Sequence, residues 1–394
     1  MIYLHVPFCG SFCTYCDFYS EICRSRQAFN EYADAVIAEI RDRRKELEMN
    51  MSAQDAVNTL YIGGGTPSVL PLDVLSRIVG AVSQTERLSL VTEQLSPVTE
   101  PVEVTTQTEL FDEFTVEVNP EDIVEKGREY VRGLLALGVN RISMGIQSFN
   151  DDILRWMNRR HDAGNAVKAF HILRESGVRN ISIDLIFGIS QLTDETWKDT
   201  IEKALELSPE HISAYQLSIE EGSALAKMVA DGRYVEASEE QCRRQYDILC
   251  RCLGRSGDHH YELSNFAKPG FEAVHNSAYW RRAPYIGLGP GAHSLTGNVR
   301  SWNSPELPHR SPDGSSATYS RTSETLSPED IRVERIMLSL RTDKGLKATE
   351  LYSLTDSTVV DALLSEGALE RQGASIRIPE DHLFTSDEII RELI

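Results

Sequence analysis

Three cysteines crowd the start of the sequence, in Pro7-Phe8-Cys9-Gly10-Ser11-Phe12-Cys13-Thr14-Tyr15-Cys16-Asp17-Phe18, with the spacing C-x3-C-x2-C. Three thiolates this close suit an iron–sulfur cube. A [4Fe–4S] cluster has four irons, so full protein ligation takes four cysteines. Three cysteines leave one iron open to a small molecule. A structural zinc site fits less well. Its tetrahedron needs four ligands, usually supplied as paired C-x2-C or Cys/His sets, and no second pair follows at that spacing. The remaining cysteines, Cys23, Cys242, Cys250 and Cys252, read as packing residues. In Cys250-Arg251-Cys252 a helical pattern turns the two thiols to different faces.

Further polar candidates stand where apolar runs end. Gly63-Gly64-Gly65-Thr66-Pro67 follows one such run. Glycines let the backbone approach a ligand closely, although a plain tight turn has the same composition. Glu117, in Val116-Glu117-Val118-Asn119-Pro120, is an acid among β-branched residues. It is either a site group or a buried, paired carboxylate. Gln147 in Met144-Gly145-Ile146-Gln147-Ser148 is placed in the same way. Arg159 offers a planar fork for a carboxylate, or is a surface arginine. Asp184 sits in Ile183-Asp184-Leu185-Ile186-Phe187, where an unpaired charge is expensive.

The elements that must hold these residues alternate. Strand-like runs occur at Ile2–Val6, Thr59–Ile62, Phe114–Val118, Arg141–Ile146, Ile181–Phe187 and His211–Ser218. Helical periodicity fills Gln27–Glu48, Leu72–Val82, Gly127–Leu137, Ala163–Glu175, Asp194–Glu206 and Glu239–Arg255. This alternation predicts an α/β fold with a parallel sheet. A doubly wound sheet and an incomplete (β/α)6 barrel both satisfy it. The cysteine loop, the glycine loop, Glu117, Gln147 and Asp184 fall in or just after five successive strands. A barrel gathers such strand ends around one axis, whereas an open sheet spreads them along an edge. The sequence therefore favours the barrel, over residues 1–300. Residues 83–109 repeat Val, Thr, Glu and Pro and read as a flexible insertion. Residues 301–325, rich in Ser, Pro and Arg, read as a linker to a small C-terminal domain, 326–394, with helices and a β-wing.

Composition narrows the function. The 394 residues are 41% hydrophobic and 25% charged, enough for a large core and a second domain. The net charge of −20 argues against general nucleic-acid binding, which needs an excess of Lys and Arg. No run reaches the roughly 18 apolar residues of a membrane span, so no membrane anchor is expected. An odd number of cysteines, seven, with no secretory signal fits a reducing cytoplasm.

The cysteine motif resembles that of the radical S-adenosylmethionine (SAM) superfamily. That resemblance implies SAM chelated at the open iron and an electron from the cluster that splits its sulfonium bond. The glycine run resembles the superfamily segment that binds the methionine amino group. Across nearly the whole chain the sequence is similar to the oxygen-independent coproporphyrinogen III oxidase family and its haem-chaperone relatives of the HemW type. The family pattern implies SAM contacts from Tyr3, Tyr15, Gly64, Gly65, Thr66, Glu117, Gln147, Arg159 and Asp184. The oxidase branch carries a fourth cysteine two residues after the third, where this sequence has Phe18. The segment His275-Asn276-Ser277-Ala278-Tyr279-Trp280 resembles the H-N-x-x-Y-W of the HemW type, which implies haem candidates at His275, Asn276, Tyr279 and Trp280. On residue types alone the favoured reading is the structural one, with His275 a hydrogen-bonded histidine and Tyr279 and Trp280 core aromatics; the family resemblance is what brings the haem reading level with it. The implied partners are haem or another tetrapyrrole, a haem-acceptor protein and an electron donor. The enzymatic alternative is conversion of coproporphyrinogen III to protoporphyrinogen IX.

Overall fold

In the computed structural model, which describes residues 1–53, 55–93, 111–306 and 319–394, the chain packs as two units. The first is formed by Met1–Gly145, Asn158–Ile181 and Pro284–Thr325. The second is formed by Ile146–Met157, Ser182–Ala283 and Leu326–Ile394.

In the first unit the strands lie parallel in the order Ile286–Leu288, Ile2–Val6, Thr59–Gly64, Glu113–Val118 and the first five residues of Arg141–Gln147. Their apolar residues, among them Leu4, Val6, Ile62, Phe114, Val116 and Met144, are buried. Near-continuous apolar strands of this kind belong to parallel sheets covered on both faces. The covering helices are Arg26–Asp42, Arg44–Met51, Leu72–Glu93, Pro120–Ala136 and Ala163–Glu175. Polar caps fix their starts: the side chains of Ser25, Asn119 and Asp162 accept from the first-turn amides.

Three boundaries differ from the periodicity. The single helix predicted over Gln27–Glu48 breaks at Arg43 (φ −91°, ψ 13°). The Arg43 guanidinium is buried, pairs with Glu39 and Glu46, and donates to Gly287 O at 2.6 Å and Ser294 Oγ at 3.0 Å. The helix predicted from Gly127 already starts at Pro120, because Asn119 caps it and proline suits the first turn. Gly127 is a kink inside it, at φ 65°. The Leu72 helix runs past Val82 to Glu93, taking the front of the segment read as a flexible insertion, whose remaining residues, 94–109, lie outside the described residues. The stretch read as a linker is strand at both ends. His293–Thr296, Val299–Asn303 and Arg321–Thr325 form an antiparallel sheet, and 307–318 lie outside the described residues.

In the second unit, Ile181–Phe187 pairs parallel with His211–Gln216. Asn265–Ala267 then pairs antiparallel with that strand and with His259–Glu262. Helices Asp194–Leu207 and Glu239–Ser256 pack on each other. The C-terminal part has helices Pro328–Ser339, Ala348–Leu354 and Ser357–Glu366. A small antiparallel wing of Leu346–Lys347, Ser375–Arg377 and Glu370–Gln372 joins them, with a last helix at Ser386–Leu393.

Candidate iron–sulfur site

The cysteine loop leaves the Ile2–Val6 strand and begins with a two-residue strand, Phe8–Cys9, paired parallel with Glu21–Ile22. Cys9 is buried, Cys13 and Cys16 are half-buried, and all three are free thiols. Burial raises the pKa of Cys9. It pushes Cys16 up to about 11, helped by the charges of Cys13 and Cys9. Without a metal these two groups hold their protons at neutral pH. A bound iron displaces such protons, so loading the site releases them.

The glycine loop is fastened to this strand end by backbone bonds. Gly65 N donates to Val6 O at 2.8 Å and Thr66 N to Phe8 O at 2.7 Å. The Thr66 hydroxyl donates to Cys9 Sγ at 3.5 Å. A β-carbon on Gly65 would lie 3.0 Å from that sulfur, and one on Gly64, whose φ is +107°, would lie 2.6 Å from the His5 ring. Glycine is required here by close approach as well as by conformation. Glu117 braces the loop from the next strand. It accepts from Tyr61 OH at 2.7 Å and from Gly64 N at 3.2 Å.

His5 links the two loops. Its Nε2 lies 2.9 Å from Tyr19 O and its Nδ1 3.1 Å from Tyr3 OH. Only Nε2–H can serve a carbonyl, so Nδ1 accepts from Tyr3. Burial lowers the His5 pKa and keeps the ring neutral, as that tautomer needs.

A third segment, Asn158-Arg159-Arg160, latches the far side of the cysteine loop. Asn158, in left-handed geometry at φ 57°, donates from Nδ2 to Phe12 O at 2.7 Å. Arg159 donates to Cys13 Sγ at 3.3 Å and to Gly145 O at 2.6 Å. Burial works against its charge, but Tyr15 and Cys13 beside it raise its pKa above the ordinary arginine value. Arg160 pairs with Asp122 at 2.5 Å, and its guanidinium fills the space where a Gly10 side chain would project.

The structure thus gathers Cys9, Cys13, Cys16, Tyr3, Tyr15, Gly64, Gly65, Thr66, Glu117 and Arg159. The other two family positions belong to the second unit. Gln147 ends its strand with a positive φ of 68°, which is uncommon for a residue with a side chain. Asp184 is half-buried in the Ile181–Phe187 strand, opposite Ser213. Sequence reading gives His5 as a structural or pocket-lining residue, and it missed Tyr61, Asn158 and Arg160. Only the adjacency of Asn158 and Arg160 to Arg159 could have pointed to the last two.

The Radical SAM superfamily pattern matches residues 3–204. The Heme chaperone HemW of Bacillus subtilis (strain 168) is 33% identical over 346 residues, spanning 87% of this chain and 84% of that protein. The Heme chaperone HemW of Lactococcus lactis subsp. lactis (strain IL1403) is 32% identical over 345 residues, 87% of this chain and 82% of that protein. This chain belongs to the HemW family of the radical SAM superfamily. It also superposes on Escherichia coli coproporphyrinogen III oxidase (HemN), a radical SAM enzyme. The TM-score is 0.74 at 21% identity, over 99% of this chain and 89% of the enzyme. That likeness shows the fold, the α/β radical SAM fold that the strand-end motifs predict.

Membership carries the superfamily's cofactors, a [4Fe–4S] cluster and SAM. The residues fit them. Three thiols are free, and the buried Arg159 Nε has no hydrogen-bond partner, as befits a group waiting for an anion. The three thiols do not converge as ligands of a single ion do. Among the described residues the His/Cys/Asp/Glu group whose ligand atoms all lie within 4.8 Å of one another is Cys250, His260 and Glu380.

The HemW-type segment forms the short helix Val274–Trp280. His275 is buried. Its Nε2 lies 3.1 Å from the Tyr279 hydroxyl one turn on, with the rings edge to face at 5.1 Å. Asn276, Tyr279 and Trp280 are half-buried. Arg282, which follows the helix at φ 58°, is paired with Glu334 at 2.5 Å. Phe18, at the position of the oxidase's fourth cysteine, is 64% exposed.

Proposed function

We propose that this protein carries haem and delivers it to an acceptor protein, with a [4Fe–4S] cluster on Cys9, Cys13 and Cys16 and SAM at the open iron. The observation that carries this reading is the identity with two proteins named Heme chaperone HemW, 32% and 33%, over most of both chains. Phe18 supports it against the oxidase alternative, because no fourth cysteine is offered there. When bound, the cluster supplies the electron that cleaves SAM. The chain's own residues do the rest. Arg159 brings a charged fork to the sulfur of Cys13. Glu117 holds the Gly64 amide in place, so the neighbouring glycine backbone is pre-set for the methionine end of SAM. Tyr3, Tyr15, Gly65 and Thr66 are the further proposed SAM contacts of the first unit; Gln147 and Asp184 are proposed on the family pattern alone.

His275 is the proposed haem ligand, with Asn276, Tyr279 and Trp280 against the macrocycle. Imidazole is a common axial ligand. An electron donor and an acceptor protein are the remaining partners, in the reducing cytoplasm where thiols stay free. No helix among the described residues is long and apolar enough to cross a membrane.

The test is anaerobic reconstitution, followed by SAM and then haemin, read by absorbance and electron paramagnetic resonance. The expected result is a SAM-dependent change in the cluster signal and a shifted Soret band that His275→Ala weakens. A Soret band that never shifts, or that is unchanged in His275→Ala, overturns the haem assignment. Turnover of coproporphyrinogen III to protoporphyrinogen in the same preparation would establish the oxidase alternative instead.

A further inference from the structure

We propose that Cys250, His260 and Glu380 form a binding site for zinc or a similar divalent transition metal, separate from the iron–sulfur cluster. The three come from different elements of the second unit: the helix Glu239–Ser256, the strand His259–Glu262 and the turn Glu380–Thr385. One ligand atom of each lies within 4.8 Å of the other two. His260 Nδ1 is already 3.0 Å from Glu380 Oε1. Zinc holds sulfur at about 2.3 Å and nitrogen or oxygen at about 2.0–2.2 Å, so tetrahedral ligand atoms stand roughly 3.3–3.7 Å apart. The cluster needs only about an ångström of closure to reach that spacing.

The donor set is specific. Thiolate, imidazole and carboxylate together suit zinc or its transition-metal neighbours, and a sulfur ligand disfavours magnesium and calcium. Three protein ligands leave the fourth tetrahedral position to water.

The imidazole is held in place from three sides. Its ring stacks on Phe266 at 4.0 Å with an angle of 15°. The Tyr246 hydroxyl, which donates to Leu263 O at 2.9 Å, lies 3.4 Å from Nε2. Nδ1 is thereby left to face Glu380. Metal-bound histidines are commonly oriented through their other ring nitrogen in this way. Tyr246 and Cys250 are four residues apart on one helix face. The entry path is through Glu380, whose side chain is 58% exposed while that of His260 is 5% exposed. On binding, the Cys250 thiol gives its proton to solvent and the sulfur bonds the metal.

The metal would staple the C-terminal segment to the long helix. That segment is already docked there, since Arg243 donates to Asp381 O at 3.2 Å and Phe384 lies 5.5 Å from the Tyr246 ring. The experiment titrates the cluster-loaded full chain with zinc against a chromophoric chelator, and counts zinc and iron per chain after dialysis. The expected result is one zinc per chain in addition to the cluster iron, with affinity weakened roughly tenfold or more in both Cys250→Ser and Glu380→Gln. The Glu380 variant alters an exposed side chain and so tests the site without disturbing the core. Cys13→Ala, which attacks the cluster, should still hold the zinc. Absence of stoichiometric zinc at micromolar free metal, or retention unchanged in both Cys250→Ser and Glu380→Gln, overturns the proposal.

Discussion

Gly65→Ala probes how tightly the glycine loop is tied to the first cluster cysteine. A β-carbon at this position would stand 2.8 Å from Phe8 O, 2.9 Å from Val6 O and 3.0 Å from Cys9 Sγ. Two of these are backbone oxygens, and both accept the amide bonds that hold the loop. They cannot swing aside as the end of a flexible side chain can, so the methyl group must push the loop away from the strand. Forcing such a group into a packed site costs about 1–3 kcal/mol. Each weakened hydrogen bond adds about 0.5–1.5 kcal/mol. Strain of 1–3 kcal/mol borne by the cluster-loaded form corresponds to about 5- to 150-fold in cluster affinity. The assay is anaerobic reconstitution at limiting iron and sulfide, with iron counted per chain, alongside urea unfolding. Gly80→Ala is the control. Nothing lies within 4 Å of its would-be β-carbon, and alanine in a helix is favoured over glycine by about 0.5–1 kcal/mol. Wild-type iron retention together with wild-type unfolding in Gly65→Ala would refute the reasoning.

Cys13→Ala should remove the iron-dependent visible absorbance and abolish SAM cleavage; persistence of both would reject the ligand set. Glu262 is fully buried, and burial raises its pKa from 4.5 to about 7, so the folded chain keeps the proton longer than the unfolded one and loses stability as pH rises through that window. Glu262→Gln, which mimics the protonated acid, should gain on the wild type in urea unfolding between pH 5 and pH 8, by up to about 3 kcal/mol; a constant difference would contradict this. Tyr279→Phe removes the hydroxyl that engages His275, worth about 0.5–1.5 kcal/mol, so haemin affinity by Soret titration should rise about two- to tenfold, and a fall would count against ligation through Nε2.

Much of the site was legible because its chemistry requires unusual residues at short spacing. The C-x3-C-x2-C run, the glycine triplet and an acid in an apolar strand each stand out locally, and the strand periodicity places them together. What stayed hidden depends on contacts distant in sequence. The break at Arg43 comes from a guanidinium anchored to Gly287 O, which no helical pattern can reveal. Asn158 and Arg160 matter because a left-handed turn carries them to Phe12 and Gly10, far away along the chain. The early start at Pro120 was written in Asn119-Pro120, a cap followed by a first-turn proline, but the kink at Gly127 interrupts the periodicity and masks it.

The cysteine loop and the haem segment differ in how far they are built in advance. Around Cys9 and Cys13, backbone bonds, a neutral histidine and an arginine bonded to Cys13 Sγ and Gly145 O fix the geometry, and the buried Arg159 Nε has no hydrogen-bond partner. Pre-set donors of this kind lower the ordering entropy of binding. His275 is the opposite case: its Nε2 is occupied by Tyr279 and its side chain is buried. The structure shows His275 as a hydrogen-bonded histidine; under the proposed function, haem ligation would exchange the Tyr279 hydroxyl for iron. A ligand that must first break an internal bond binds its cargo less tightly than a vacant one would. If the protein hands haem on as proposed, that weakening is an advantage, whereas a cluster that stays in place through each handover is better held by a loop already fastened by backbone bonds.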